Sequence, residues 1–197
     1  VITTTALVTL TDTQLHSLKS NQISGLNNNQ IDALFNSNKF SVTISQMPGL
    51  TSDQVGHLST DEVRKLTAGQ LVWMVTSQTS LFSSTQVAAL TPTQMNFISA
   101  DKFANFATDR IAVLSTDQVH ALSGIQLAGF GSDNLNSLST DDLESLTAAQ
   151  LSGLTTTQVQ NLTVDNFKVL SGRALTGLTS AQMNALTTAE LHALTAT

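Results

Sequence analysis

The segment Leu90-Thr91-Pro92-Thr93-Gln94-Met95 sets the reading of the whole chain. Thr followed three residues later by Gln is a capping box, in which the hydroxyl accepts the amide of N3 and the Gln side chain returns to the amide of the cap. Leu90 and Met95 then fall at N′ and N4, the two positions of a hydrophobic staple. Pro92 lands at N1, where its missing amide costs nothing and its fixed φ suits a first helical turn. Three independent signals agree that a helix starts at residue 92.

The same grammar recurs every eight residues. One apolar series runs Ile2, Leu10, Leu18, Leu26, Leu34, Val42, Leu50, Leu58, Leu66, Met74, Phe82, Leu90 and onward without a polar member to Leu194. A second follows five residues behind, from Leu7, Leu15 and Ile23 to Met183 and Leu191, and only Lys39 and Thr79 interrupt it. Ser or Thr usually follows the first anchor and Gln usually precedes the second, so the unit reads Leu-[Ser/Thr]-x-x-Gln-[Leu/Val]-x-x. Eight of the eleven aspartates, among them Asp53, Asp117 and Asp165, sit at N2, where a carboxylate complements the positive end of the helix dipole. The last octad position is small in many units, as at Gly25, Gly49, Gly129, Gly153, Gly177 and Ala185, which suits a helix end or a tight contact.

These features predict an all-α solenoid, a superhelix of very short helices with one helix per octad. The sequence reads as a single array over residues 1–197, of about 24 repeats, irregular near 35–48 and 72–84. In one continuous helix, eight residues overshoot two turns by roughly 80°, so the anchors would spiral instead of forming a stripe. A strand would send anchors spaced by five and three to opposite faces and leave the Thr/Gln pattern without a role. A parallel β-solenoid is the alternative architecture. Helices of about six residues are unstable alone, so stability must come from stacking along the array. The number of octads per turn cannot be read from the pattern.

Composition narrows the functional classes. Ser and Thr form about a quarter of the chain, cysteine is absent, charged residues are 11%, and the net charge is −6. Disulfides and thiolate chemistry are excluded. Eight Lys and Arg residues without a stripe argue against a nucleic-acid partner. No run of eighteen apolar residues suggests a membrane span. Val1-Ile2-Thr3-Thr4-Thr5 does not have the form of a signal peptide, which leaves secretion by another route or excision from a longer chain.

Chemistry-bearing motifs are sparse. His16, His120 and His192 share one octad position but lie too far apart in sequence to form one metal site, and with His57 they read as surface residues. Asp141, Asp142 and Glu144, and Asp61 with Glu62, are dense in acid but lack a calcium-loop pattern and read as helix-start charges. The sequon Asn161-Leu162-Thr163 has a core anchor in its middle and a cap at its end. No phosphate loop, nucleophile elbow or His-Glu-x-x-His motif occurs, so the expectation is no enzyme, no cofactor and no metal.

Specific roles are expected where the grammar breaks. Around 35–48, Phe35 stands at a cap position, Lys39 at the second anchor, and Phe40, Val42 and Ile44 alternate as in extended chain. Around 72–84, Trp73 is the only tryptophan, Val75 replaces the cap and Thr79 the second anchor, before Phe82. Either these octads bulge, with Trp73 and Phe40 filling the gap, or Phe35, Lys39, Phe40, Trp73 and Phe82 form an apolar contact patch for a partner.

The Thr/Ser/Gln-rich, cysteine-free octads resemble the tandem repeats of very large bacterial secreted or surface proteins of adhesin or fibre type. That resemblance implies an extracellular or cell-surface structural role and carries no catalytic or binding residue across. Neither end reads as a capping repeat, so the array is expected to be part of a longer one or to stack on identical ends. The leading expectation is a subunit or segment of an extracellular filament that self-associates end to end. The rival is an adhesin-like module that binds a protein or glycan on its surface.

Overall fold

Short helices have a backbone problem: the first four N–H and last four C=O groups of any helix lack an internal partner, and a helix of four to six residues consists of little else. In the computed structural model, which describes residues 2–36 and 42–195, the described residues form 22 α-helices and one 3-10 helix, with no strand. The helices run from four residues, as in Pro92–Met95, to nine in Asn28–Asn36. None is long and apolar enough to cross a membrane.

The amino-terminal ends are solved by the predicted box. In helix Ser52–His57 the Thr51 hydroxyl accepts the Gln54 amide at 3.2 Å, and Gln54 Oε1 accepts the Thr51 amide at 2.8 Å. Pro92 begins its helix as expected. At the other end the chain leaves directly: Leu58 (φ −52°, ψ 128°) turns out of the helix while its amide bonds to the Val55 carbonyl. After six-residue helices such as this one, one anchor and the next cap in extended conformation make the whole connection. No described residue has a positive φ, so the glycines at octad ends are not left-handed helix terminators.

The chain divides into two compact units, Val1–Leu90 and Thr91–Thr197. Within each, a helix packs on the helix three places further along. Examples are Thr60–Lys65 on Ser84–Ala89 in the first unit, and Gly124–Ala128 on Ala148–Gly153 in the second. Both anchor series point inward, so that Val55, Val63 and Leu71 are fully buried in the first unit, as are Val119, Leu143 and Leu151 in the second. Each such side chain contributes roughly 1.5–3 kcal/mol on leaving water.

The two irregular stretches depart from expectation. Phe35 is not a cap: it lies inside the long helix Asn28–Asn36 and is buried, because that helix continues a turn past the usual octad end. Residues 42–49 are not extended strand. Thr43 and Gln46 keep half the box, with the Thr43 amide 2.9 Å from Gln46 Oε1, and lead through a turn into the 3-10 helix Met47–Gly49. Helix Thr76–Thr79 also persists behind Val75, whose amide is accepted by Gln78 Oε1 at 2.9 Å. Thr79 fills the second-anchor place fully buried, its hydroxyl satisfied by the Thr76 carbonyl. A Gln without a hydroxyl partner suffices to start a helix.

Candidate functional site

The most repeated polar feature is what the Gln side chain does with its other end. In at least eight octads, Oε1 accepts the amide of its own cap while Nε2 donates to two carbonyls 28 and 31 residues earlier. Gln54 Nε2 reaches the Leu26 carbonyl at 2.7 Å and the Ile23 carbonyl at 3.0 Å. Gln150 reaches Leu122 and Val119, both at 2.8 Å, and Gln46, Gln78, Gln86, Gln126, Gln158 and Gln182 repeat the pattern. The acceptors are the carboxyl-terminal carbonyls of a helix one circuit back. One buried side chain thereby satisfies orphan groups at the start of one helix and at the end of another. The spacing also gives the circuit: 28 to 31 residues, or three and a half to nearly four octads.

Substitutions at this position separate its two tasks. Glu62 keeps the acceptor half, holding the Ser59 amide at 2.8 Å, but a carboxylate cannot donate; Asn36 Nδ2 instead donates to Glu62 Oε1 at 2.8 Å. Asp142 does the same, accepting from the Ser139 amide and from the Thr116 hydroxyl at 2.9 Å. Lys102 and Arg110 are donors only, and their helices have no side-chain cap. Burial holds the Lys102 ammonium below its ordinary range. Glu190 is the mismatch: Oε2 accepts the Thr187 amide, while Oε1 is buried with no partner among the described residues. Sequence reasoning assigned the Gln to capping alone. The available signal was the preference for Gln over Glu, since a capping box accepts either.

A second recurrent contact lies 29 residues apart. A Cβ built on Gly49 would meet the Ser20 Cα at 2.7 Å, on Gly129 the Ala100 Cα at 2.7 Å, and on Gly177 the Ala148 Cα at 2.6 Å. In each case the last octad position rests on the first helical residue one circuit back. The small residues are there for proximity.

Trp73 occupies this position at the end of helix Ala68–Trp73, and the residue 29 earlier is Ile44. Two large side chains cannot nest where glycine and alanine do, so both stay outside: Trp73 is 58% exposed and Ile44 44%. Beside them opens a groove of about 600 Å³ lined by His16, Val42, Thr43, Ile44, Thr67 and Trp73. Gly69 makes room for the Ile44 side chain, since a Cβ there would come within 2.7 Å of Ile44 Cδ1. Of the five residues expected in a contact patch, Trp73 is exposed, whereas Phe35 and Phe82 are buried. Lys39 and Phe40 lie outside the described residues. Val72 and Val75, close to Trp73 in sequence, are exposed as well.

The remaining candidates are accounted for locally. All four histidines are solvent-exposed, with His57 Nε2 3.4 Å from Asp32. Asp142 and Glu62, members of the two acidic clusters, are buried box residues. Among the described residues no three His, Asp or Glu side chains are grouped to hold a metal ion. Neither a protein-family model nor a curated protein matches this sequence.

Proposed function

We propose that this chain is a structural protein, a subunit or segment of an extracellular filament, stalk or surface fibre built by end-to-end continuation of the repeat superhelix. The observation that supports this reading is the chemistry of the joint between turns. Its acceptors are main-chain carbonyls and its donor is one recurring side chain, so one regular turn is a fitting partner for another. An array of interchangeable joints is suited to extension, as in other quasi-one-dimensional proteins. Placement outside the cell follows from the resemblance of the octads to surface-protein repeats. Electron microscopy of the purified chain tests the reading: fibres of constant width are expected, and discrete particles at every concentration would sink it.

A second reading, an adhesin-like module that binds a glycan or protein, is favoured by one observation, the exposed Trp73 beside Thr67 and His16 in an open groove. Aromatic faces with polar neighbours suit such ligands. Binding of a glycan or surface protein that Trp73→Ser abolishes, in a chain that forms no fibres, is the outcome that selects it.

A further inference from the structure

Where the ladder position holds a residue other than Gln, an oxygen aimed at the preceding circuit takes its donor from a fixed place. Asn36 Nδ2 donates to Glu62 Oε1 at 2.8 Å, the Thr108 hydroxyl to Asn134 Oδ1 at 3.0 Å, and the Thr116 hydroxyl to Asp142 Oδ1 at 2.9 Å. In all three pairs the donor stands 26 residues before the acceptor. A buried oxygen is thereby kept from facing other oxygens bare.

Glu190 breaks this rule. The residue 26 before it is Val164, which carries no side-chain donor. Oε2 is engaged as in other boxes, with the Thr187 amide at 2.6 Å and the Thr187 hydroxyl at 2.8 Å. Oε1 is therefore held where a glutamine carries Nε2, without a partner among the described residues, in a side chain of a residue only 1% exposed. The register identifies what it faces. Gln158 and Gln182 each reach carbonyls 28 and 31 residues earlier, and the same steps from Glu190 lead to Leu162 and Val159, at the end of helix Thr156–Gln160. Lys168, the basic residue of the helix packed against that of Glu190, is half in solvent and 3.5 Å from Asp165. Negative charge thus meets the negative ends of carbonyl dipoles out of water, an arrangement that is strongly unfavourable without a counter-charge.

We propose that Glu190 Oε1, with the carbonyls of Leu162 and Val159, binds a monovalent alkali cation, sodium or potassium. Every ligand is a hard oxygen, the set that takes alkali and alkaline-earth ions in preference to zinc or copper. The site holds a single negative charge, which one monovalent ion neutralises. Calcium takes about six to eight oxygens, and magnesium keeps waters that a buried position excludes. The ion does here what the N–H groups of a glutamine amide do elsewhere in the ladder: it puts positive charge between a side chain and the carbonyls of the preceding circuit. Because two of the ligands are main-chain groups, the site needs no cluster of acidic side chains. Val164 completes the argument, since a hydroxyl or amide at its place would quench Oε1 as Thr116 quenches Asp142.

Thermal melts of the whole chain in sodium, potassium and tetramethylammonium chloride, at one ionic strength, test the site. The wild type is expected to melt about 2–4 °C higher in an alkali salt than in tetramethylammonium, and the rise should saturate with concentration. Glu190→Gln restores the amide of the regular octads; it should melt no lower than the wild type in tetramethylammonium and show none of the alkali response. Val164→Thr, which supplies the hydroxyl donor 26 residues back, should cut the response at least by half. An alkali response retained in full by Glu190→Gln would place the ion elsewhere and overturn the proposal, as would a wild type indifferent to the salt. A response to calcium or magnesium chloride and to neither alkali salt would overturn the monovalent assignment. A melting temperature that falls as pH rises and ignores the identity of the salt would mark a proton on Glu190 in place of the ion, and this too would overturn it.

Discussion

The pairs Gly124–Gly153 and Ile44–Trp73 occupy the same place in two circuits, 29 residues apart, and could hardly differ more in size. In the first, backbone lies on backbone, and a Cβ on Gly124 would come within 2.8 Å of the Gly153 Cα. In the second, an indole and a branched aliphatic chain stand out into solvent. Yet the glutamine bonds on either side hold their spacing: Gln150 to Val119 and Leu122 beside the glycines, Gln78 to Met47 and Leu50 beside the tryptophan. The polar ladder fixes the spacing of circuits, and the small residues adapt to it.

The comparison can be broken at its tightest point first. Gly153→Leu should cost about 3 kcal/mol or more, because the side chain meets backbone that has nowhere to move, at the upper end of overpacking effects. Denaturant unfolding measures it, and a loss below about 1 kcal/mol would show that the circuits can part. Gln150→Ala removes a cap acceptor and leaves the Leu122 carbonyl short of its donor. A loss of about 2–3 kcal/mol is expected, with Gln150→Glu between it and the wild type in thermal melts. Glu190→Gln should act in the other direction. It gives the buried Oε1 position a donor facing the carbonyls of the circuit before, for a gain of about 1 kcal/mol in the same assay. The smallest effect belongs to Trp73→Ser, where the side chain is mostly in water already: a change within about 0.5 kcal/mol is expected. If Trp73→Ser proves as damaging as Gly153→Leu, the two contacts are equivalent in stability after all.

What the sequence made legible was the local grammar of the regular octads. Thr51 and Gln54 are three residues apart, so their mutual bonds follow from helix geometry alone, and the N1 place of Pro92 follows with them. The circuit length was not legible, because it depends on the angle accumulated over several extended connections such as Leu58-Ser59, which no pair of neighbouring residues encodes. The second task of Gln150 was hidden for the same reason, although its amide chemistry hinted at a donor. Phe35 was misplaced because helix Asn28–Asn36 runs past its octad through Phe35 and Asn36, residues of middling helix propensity, with the buried Phe35 side chain held by packing that local sequence does not display. The exposure of Trp73 could be known only once Ile44 was found across from it.

Because the acceptors in the ladder are carbonyls of the anchor positions, they do not depend on which octad supplies them. Deleting or duplicating one whole octad in a regular stretch moves the glutamines of the circuit that follows to a new pair of carbonyls, yet each new pair is chemically the same as the old. A change of any other length would bring glutamines opposite the wrong atoms. The array is thus free to vary in length only in steps of eight residues, and its genetic history should be one of whole-unit gains and losses, with side-chain-specific pairs such as Ile44 and Trp73 marking the places where such steps are no longer neutral.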